Sequence, residues 1–159
     1  MKKIVSYMMT GILLLSFLLT GCGSPEPQTG KKMSMYYINT AETKVEVHEQ
    51  YLNTKTLDEQ LDETMRYLST TPEKLEYKAP LDMGFRVLDY EVEDGKLLIN
   101  VDKAYSELSP TTEVLVRAAI VRTLTQLPNV KYVGITVEDS QLYDNAGEMV
   151  GWMNAEQFI

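Results

Sequence analysis

The residues of this sequence that could do chemistry are few: one histidine, one cysteine and two groups of carboxylates. His48 lies in Val45–Leu52, where Val45, Val47 and Tyr51 share one face of an alternating strand pattern and Glu46, His48 and Gln50 share the other. A general base or a metal ligand needs partners. The face of His48 offers only Glu46, Gln50 and, at its edge, Glu49, so the pattern points to a solvated strand histidine. Asp58, Glu59, Asp62 and Glu63 could imitate a carboxylate site, but they crowd the start of a helix, where the dipole favours negative charge. Asp139, Asp144 and Glu148 do not follow the alternate-ligand pattern of a calcium-binding EF-hand loop, and they read as a solvated loop with a calcium site as the alternative.

No G-x-S-x-G, H-E-x-x-H, C-x-x-C, Walker loop or G-x-G-x-x-G occurs. A hydrolase triad would have to use His48, and no serine near it sits in a nucleophile motif. A carboxylate pair for glycoside cleavage needs only two acids at the right separation in space, so composition leaves that chemistry open. The expectation is therefore a protein that is not an enzyme, with no catalytic residues, no metal ligands and no cofactor.

The cysteine has a clearer reading. Lys2 and Lys3 precede the mostly apolar run Ile4–Leu19, and Leu19-Thr20-Gly21-Cys22 places small residues directly before the thiol. This resembles a bacterial lipoprotein signal, in which the cysteine is acylated and becomes the mature N-terminus; a simple membrane-spanning anchor is the alternative. Two acyl chains anchor stably where one is marginal, each buried CH₂ contributing about 0.8 kcal/mol. The expected organisation is a signal peptide over 1–21, a lipidated Cys22 and flexible tether over 22–32, and a domain over 33–159. With no second cysteine, no disulfide supports that domain.

Removing 21 of the 159 residues leaves 138, enough for one domain. The whole chain carries 15 basic and 23 acidic side chains, and losing Lys2 and Lys3 leaves 13 against 23, or −10. That balance argues against nucleic acid as a partner and against a basic patch on anionic lipid. The expected address is the extracytoplasmic face of the cell membrane, held there by Cys22.

The elements that would position these residues follow from pattern. Met35–Ile38 and Val45–Leu52 read as strands. Thr56-Leu57-Asp58-Glu59 matches a capping box and opens a helix with the stripe Leu57, Leu61, Met65 and Leu68. Leu88, Tyr90 and Val92 alternate with acids, Asp94-Gly95 is a hairpin turn, and Leu97, Ile99 and Val101 return. Ser109-Pro110 suits an N-cap and first helical position ahead of a largely buried helix that Pro128 ends. Val133, Ile135 and Val137 form a further strand, Glu148–Trp152 a short edge strand, and Asn154 caps a terminal turn. The order predicts an α+β domain: a small mixed or antiparallel β-sheet with two amphipathic helices on one face.

These residues carry a resemblance. Met35-Tyr36-Tyr37-Ile38, the Phe85–Val92, Asp94-Gly95, Leu97–Asp102 hairpin, and above all Ala119-Ile120-Val121-x-Thr123-Leu124-Thr125 running through Pro128-Asn129-Val130 to Val133-x-Ile135-x-Val137 resemble the GerMN domain of sporulation and spore-germination lipoproteins. The resemblance covers about Met35–Val150. It implies a βαββαβ-type fold similar to ring-building domains of envelope assemblies, and it implies no catalytic residues. Founding members carry the domain in tandem, whereas this chain has one copy. Glu138-Asp139-Ser140 stands where the family often has an aspartate-glycine turn.

Two functional expectations follow. One is a non-catalytic interaction module that binds an envelope protein, or itself, through a sheet edge or exposed face. The other is a cell-wall glycan or small-ligand binder, or a weak wall hydrolase, with a cleft lined by Tyr36, Tyr37, Tyr132, Tyr143 and Trp152. Arg117, four residues after Glu113 at the margin of the apolar arc, reads either as an intrahelical ion pair or as a charged position at a partner-facing interaction edge.

Overall fold

The computed structural model describes residues 30–71, 76–144 and 146–159; the signal segment, Cys22 and most of the expected tether lie outside them. Strands β1 (Lys31–Asn39) and β2 (Val45–Leu52) form an antiparallel hairpin, and β3 (Tyr77–Lys78) pairs with the far end of β1. Helix α1 (Leu57–Leu68) lies between β2 and β3 in sequence. Strands β4 (Val87–Glu93), β5 (Lys96–Val101), β6 (Tyr132–Val137) and β7 (Ser140–Gln141) make a second sheet in that order. Within it β5 and β6 run parallel, joined across helix α2 (Pro110–Leu124), and the other pairs are antiparallel. The fold is α+β, as expected, with its strands divided between two sheets rather than gathered into one.

Local chemistry accounts for the helix starts. Thr56 Oγ1 accepts the Glu59 N–H at 3.3 Å while Glu59 Oε2 accepts the Thr56 N–H at 3.2 Å, closing the capping box. Ser109 caps α2 by accepting from Thr112 N at 3.2 Å, with Pro110 following at the first helical position. The terminal Ala155–Phe158 turn is 3₁₀, capped by Asn154.

Three placements differ from the pattern. β1 begins at Lys31, so the last two residues expected in the tether belong to the sheet. In β2 the register sets Glu46, His48 and Gln50 opposite Tyr37, Met35 and Met33, on the buried side of β1; they are half-buried while Val47 is 54% exposed. The stronger apolar set of β1 decides which way the hairpin faces, and β2 follows. In β4 a register shift between Val87 and Asp89 turns Leu88 to solvent, leaving Tyr90 and Val92 opposite Ile99 and Leu97.

Helix α2 is central rather than one-sided. Val116, Ala119, Ile120, Val121, Thr123 and Leu124 are all buried, and the helix touches β1 and β2 of one sheet and β6 of the other. One apolar core therefore runs through both sheets, from Met35 and Tyr37 to Ile99 and Ile135. The segment expected as an edge strand over Glu148–Trp152 makes only isolated bridges: Met149 to Tyr143, and its neighbour Met153 to Val133.

Candidate interaction surface

Three of the four carboxylates of the α1 cluster, Glu59, Asp62 and Glu63, have their own structural partners. Glu59 closes the cap, and Asp62 Oδ1 accepts the Tyr90 hydroxyl at 2.7 Å, tying α1 to β4. Glu63 is buried, and its Oε2 accepts from Asn53 N at 3.0 Å, Thr54 N at 3.2 Å and Thr54 Oγ1 at 2.8 Å. It holds the loop that leads into its own helix, a buried charge satisfied by hydrogen bonds. In the second acidic group Asp139 and Asp144 are likewise engaged. Asp139 Oδ1 accepts from Asn100 Nδ2 at 2.8 Å, and Asp144 Oδ1 accepts from Ala146 N and Glu148 N, each at 2.9 Å. Among the described residues no cluster of three metal-ligating side chains forms.

Glu113 and Arg117 lie inside the domain. Their side chains are 10% and 14% exposed, with Arg117 Nη2 donating to Glu113 Oε2 at 2.9 Å and Nε 2.6 Å from Oε1. The Nε contact is close but poorly aligned, so Nη2 carries the hydrogen bond. The buried Tyr105 hydroxyl donates to Glu113 Oε1 at 3.1 Å. Burial and the neighbouring Glu113 charge push the Tyr105 hydroxyl well above its ordinary range. The pair is an internal ion pair rather than a surface edge, and it joins α2 to the Lys103–Glu107 turn that holds Tyr105.

The five aromatics expected to line a cleft are not brought together. Tyr37 is fully buried, stacked on Tyr77 at 6.2 Å, and burial pushes its hydroxyl up to about 12. Tyr36 lies on the first sheet under Arg122, 4.3 Å from ring centre to guanidinium. Tyr132 and Trp152 belong to the second sheet's side of the molecule but line different depressions, and Tyr143 is 60% exposed.

Missed by pattern is the outward face of the second sheet. Leu97, Ile99 and Val101 turn inward, so Lys96, Leu98 and Asn100 point outward, beside Glu93, Glu91 and Asp89 of β4 and Tyr132, Gly134 and Thr136 of β6. Trp152 lies over Gly134: a Cβ there would come within 2.8 Å of the indole, which is why this strand position is a glycine. Leu98, Gly134, Thr136, Gln141, Met149 and Trp152 edge a cleft of about 160 Å³. Lys96 Nζ lies over the indole, 5.3 Å from its centre. Sequence carried one signal for this, Gly134 at an outward position among the β-branched residues Val133, Ile135, Thr136 and Val137.

The sequence model of the Germane family, described as sporulation and spore germination, matches residues 34–143. The chain belongs to the Germane family. The structure of the first GerMN domain of the sporulation protein GerM from Bacillus subtilis is similar to it at TM-score 0.60 and 14% identity, covering 80% of this chain and 98% of that one. The tandem GerMN domains of GerM match at TM-score 0.56 and 18% identity over 85% of this chain; the chain spans about half (49%) of that structure. A lipoprotein candidate from Clostridium perfringens matches at TM-score 0.52 and 21% identity, covering 80% and 89%. At these identities the likeness shows a shared fold. No curated protein matches significantly.

The Germane signature acquires a physical role here. The stretch Ala119–Thr125 within the matched residues covers the end of α2 and its C-cap, and it meets the edge of β1. Thr123 Oγ1 accepts the Tyr36 N–H at 3.0 Å and donates to Ala119 O at 2.8 Å.

Proposed function

We propose that this Germane protein is a lipid-anchored, extracytoplasmic and non-catalytic interaction module, acylated on Cys22 and binding another protein of the cell envelope. The family match over 34–143 carries the reading. Supporting it, the buried carboxylates Glu63 and Glu113 are held by hydrogen bonds within the fold, from Thr54 and from Arg117. The lipoprotein likeness from Clostridium perfringens and the Leu19-Thr20-Gly21-Cys22 sequence both favour the anchor.

The test is fractionation of cells making the full chain, with radiolabelled palmitate and chemical crosslinking. The wild type should enter the membrane fraction carrying label and a crosslinked partner, while Cys22→Ala loses label and leaves the membrane. An unlabelled wild type in the soluble fraction would overturn the anchor, and a chain without any crosslinked protein would overturn the module.

A further inference from the structure

We propose that the outward face of the second sheet is the docking surface of this module, and that its partner presents a basic, extended segment carrying one bulky apolar side chain. The proposal rests on the interaction-module reading above and names the face and chemistry it would use. The centre of the face is apolar and accessible: Met149 is 62% and Trp152 42% exposed, on either side of a cleft floored by Leu98 and Gly134. Its volume, about 160 Å³, is well below the roughly 300–1,000 Å³ of small-molecule sites, so it has room for a single side chain.

Charge selects the partner. Asp89, Glu91 and Glu93 project from β4 as one column, with Glu91 directly across from Leu98 and Glu93 from Lys96. Strands lie about 4.8 Å apart, so this acidic column flanks the cleft within reach of a segment laid over it. Glu91 and Glu93 make no ion pair among the described residues, and Lys96 is turned onto the indole. A basic segment gains from that column, whereas a second copy of this chain, itself strongly acidic, would meet like charge. A stacked sugar ring is disfavoured, because Lys96 Nζ sits over the indole where such a ring would lie.

The test uses the full mature chain and a short fluorescent peptide of alternating lysine and threonine with one central phenylalanine, beside its glutamate-for-lysine counterpart. The lysine peptide should bind, more weakly as salt rises, and the glutamate peptide should not. Met149→Ser, and separately the pair Glu91→Lys and Glu93→Lys, should each weaken binding about tenfold or more. The same charge change at exposed Asp82 and Glu107, outside the strands of this sheet, should have far less effect. Equal loss from the Asp82 and Glu107 variant, or binding of soluble peptidoglycan fragments in place of the peptide, would overturn the proposal. If the face variants still form the envelope complex in cells, this face is excluded while the module reading stands; if the wild type forms none, the module reading itself fails.

Discussion

The side-chain amide of Gln126 pairs with the backbone of Ser34 as a neighbouring strand would. Oε1 accepts the Ser34 N–H at 3.0 Å and Nε2 donates to Ser34 O at 2.7 Å. With Thr123 on Tyr36, the last turn of helix α2 and the segment just after it thus satisfy the edge of β1 beyond the short β3 pairing. An uncovered strand edge templates pairing with other chains. The same contact explains why the strands form two sheets: α2 occupies the place where the first would have continued.

Thr123→Val keeps the shape of the side chain and removes the acceptor of a partly buried N–H. The expected loss is about 1–3 kcal/mol in urea unfolding, because that N–H is left unpaired. Adding Gln126→Ala should also raise the tendency to self-associate, read by sedimentation, since the β1 edge is then open.

Arg117→Met leaves Glu113 buried without its cation. Breaking one side of such a pair costs about 3–5 kcal/mol, whereas replacing both with apolar residues is closer to neutral. Unfolding of Arg117→Met, Glu113→Leu and the double variant should therefore show the double variant as more stable than Arg117→Met alone. Additive losses would contradict the internal ion pair.

Acid and alkali should act through different groups. Hydrogen bonds from Lys78 and Thr112 hold Glu42 below its usual range, and those from Arg86 lower Asp102. A depressed carboxyl stabilises the fold above its unfolded value of about 4, and that contribution is lost as pH falls through the lower folded value. Burial and the bond to Asp62 push Tyr90 up to about 12, and Tyr37 rises similarly through burial. A raised phenol stabilises fully below its unfolded value near 10, and the contribution fades as pH rises from there to about 12. Thermal unfolding should be flat between about pH 5 and 9 and fall at both ends. Asp62→Asn should lower the spectrophotometric titration midpoint of Tyr90.

The β6–β7 turn holds Glu138 at φ 48° and Asp139 at φ 62°, both left-handed without glycine. Asn100 braces it, its Oδ1 accepting the Asp139 N–H at 3.0 Å. Left-handed backbone costs a non-glycine residue about 1–2 kcal/mol, offset in part by the entropy glycine loses. Glu138→Gly, at an exposed side chain, should stabilise the domain by several tenths of a kcal/mol in denaturant unfolding.

What was legible in the sequence was local. Thr56 with Glu59, Ser109 with Pro110, and Asp94-Gly95 each state their geometry within four residues, and the structure has all three. The facing of β2 was not legible, because Glu46, His48 and Gln50 turn toward the core only through pairing with Met33, Met35 and Tyr37. Nor was the role of Glu63 or Glu113, since a carboxylate's burial depends on what folds over it. The candidate surface was half visible: Trp152 stood out as an aromatic, but the acidic column beside it needs the β4–β5 register, and the cleft needs the C-terminal segment laid over Gly134.

The most direct measurement is site-specific photocrosslinking in intact cells making the full chain, with the photoreactive residue at Met149 and, separately, at Val47 on the first sheet. The account predicts a discrete protein adduct from Met149 in the membrane fraction, lost with Cys22→Ala and absent from Val47. No protein adduct from either position, or adducts to wall glycan alone, would contradict it.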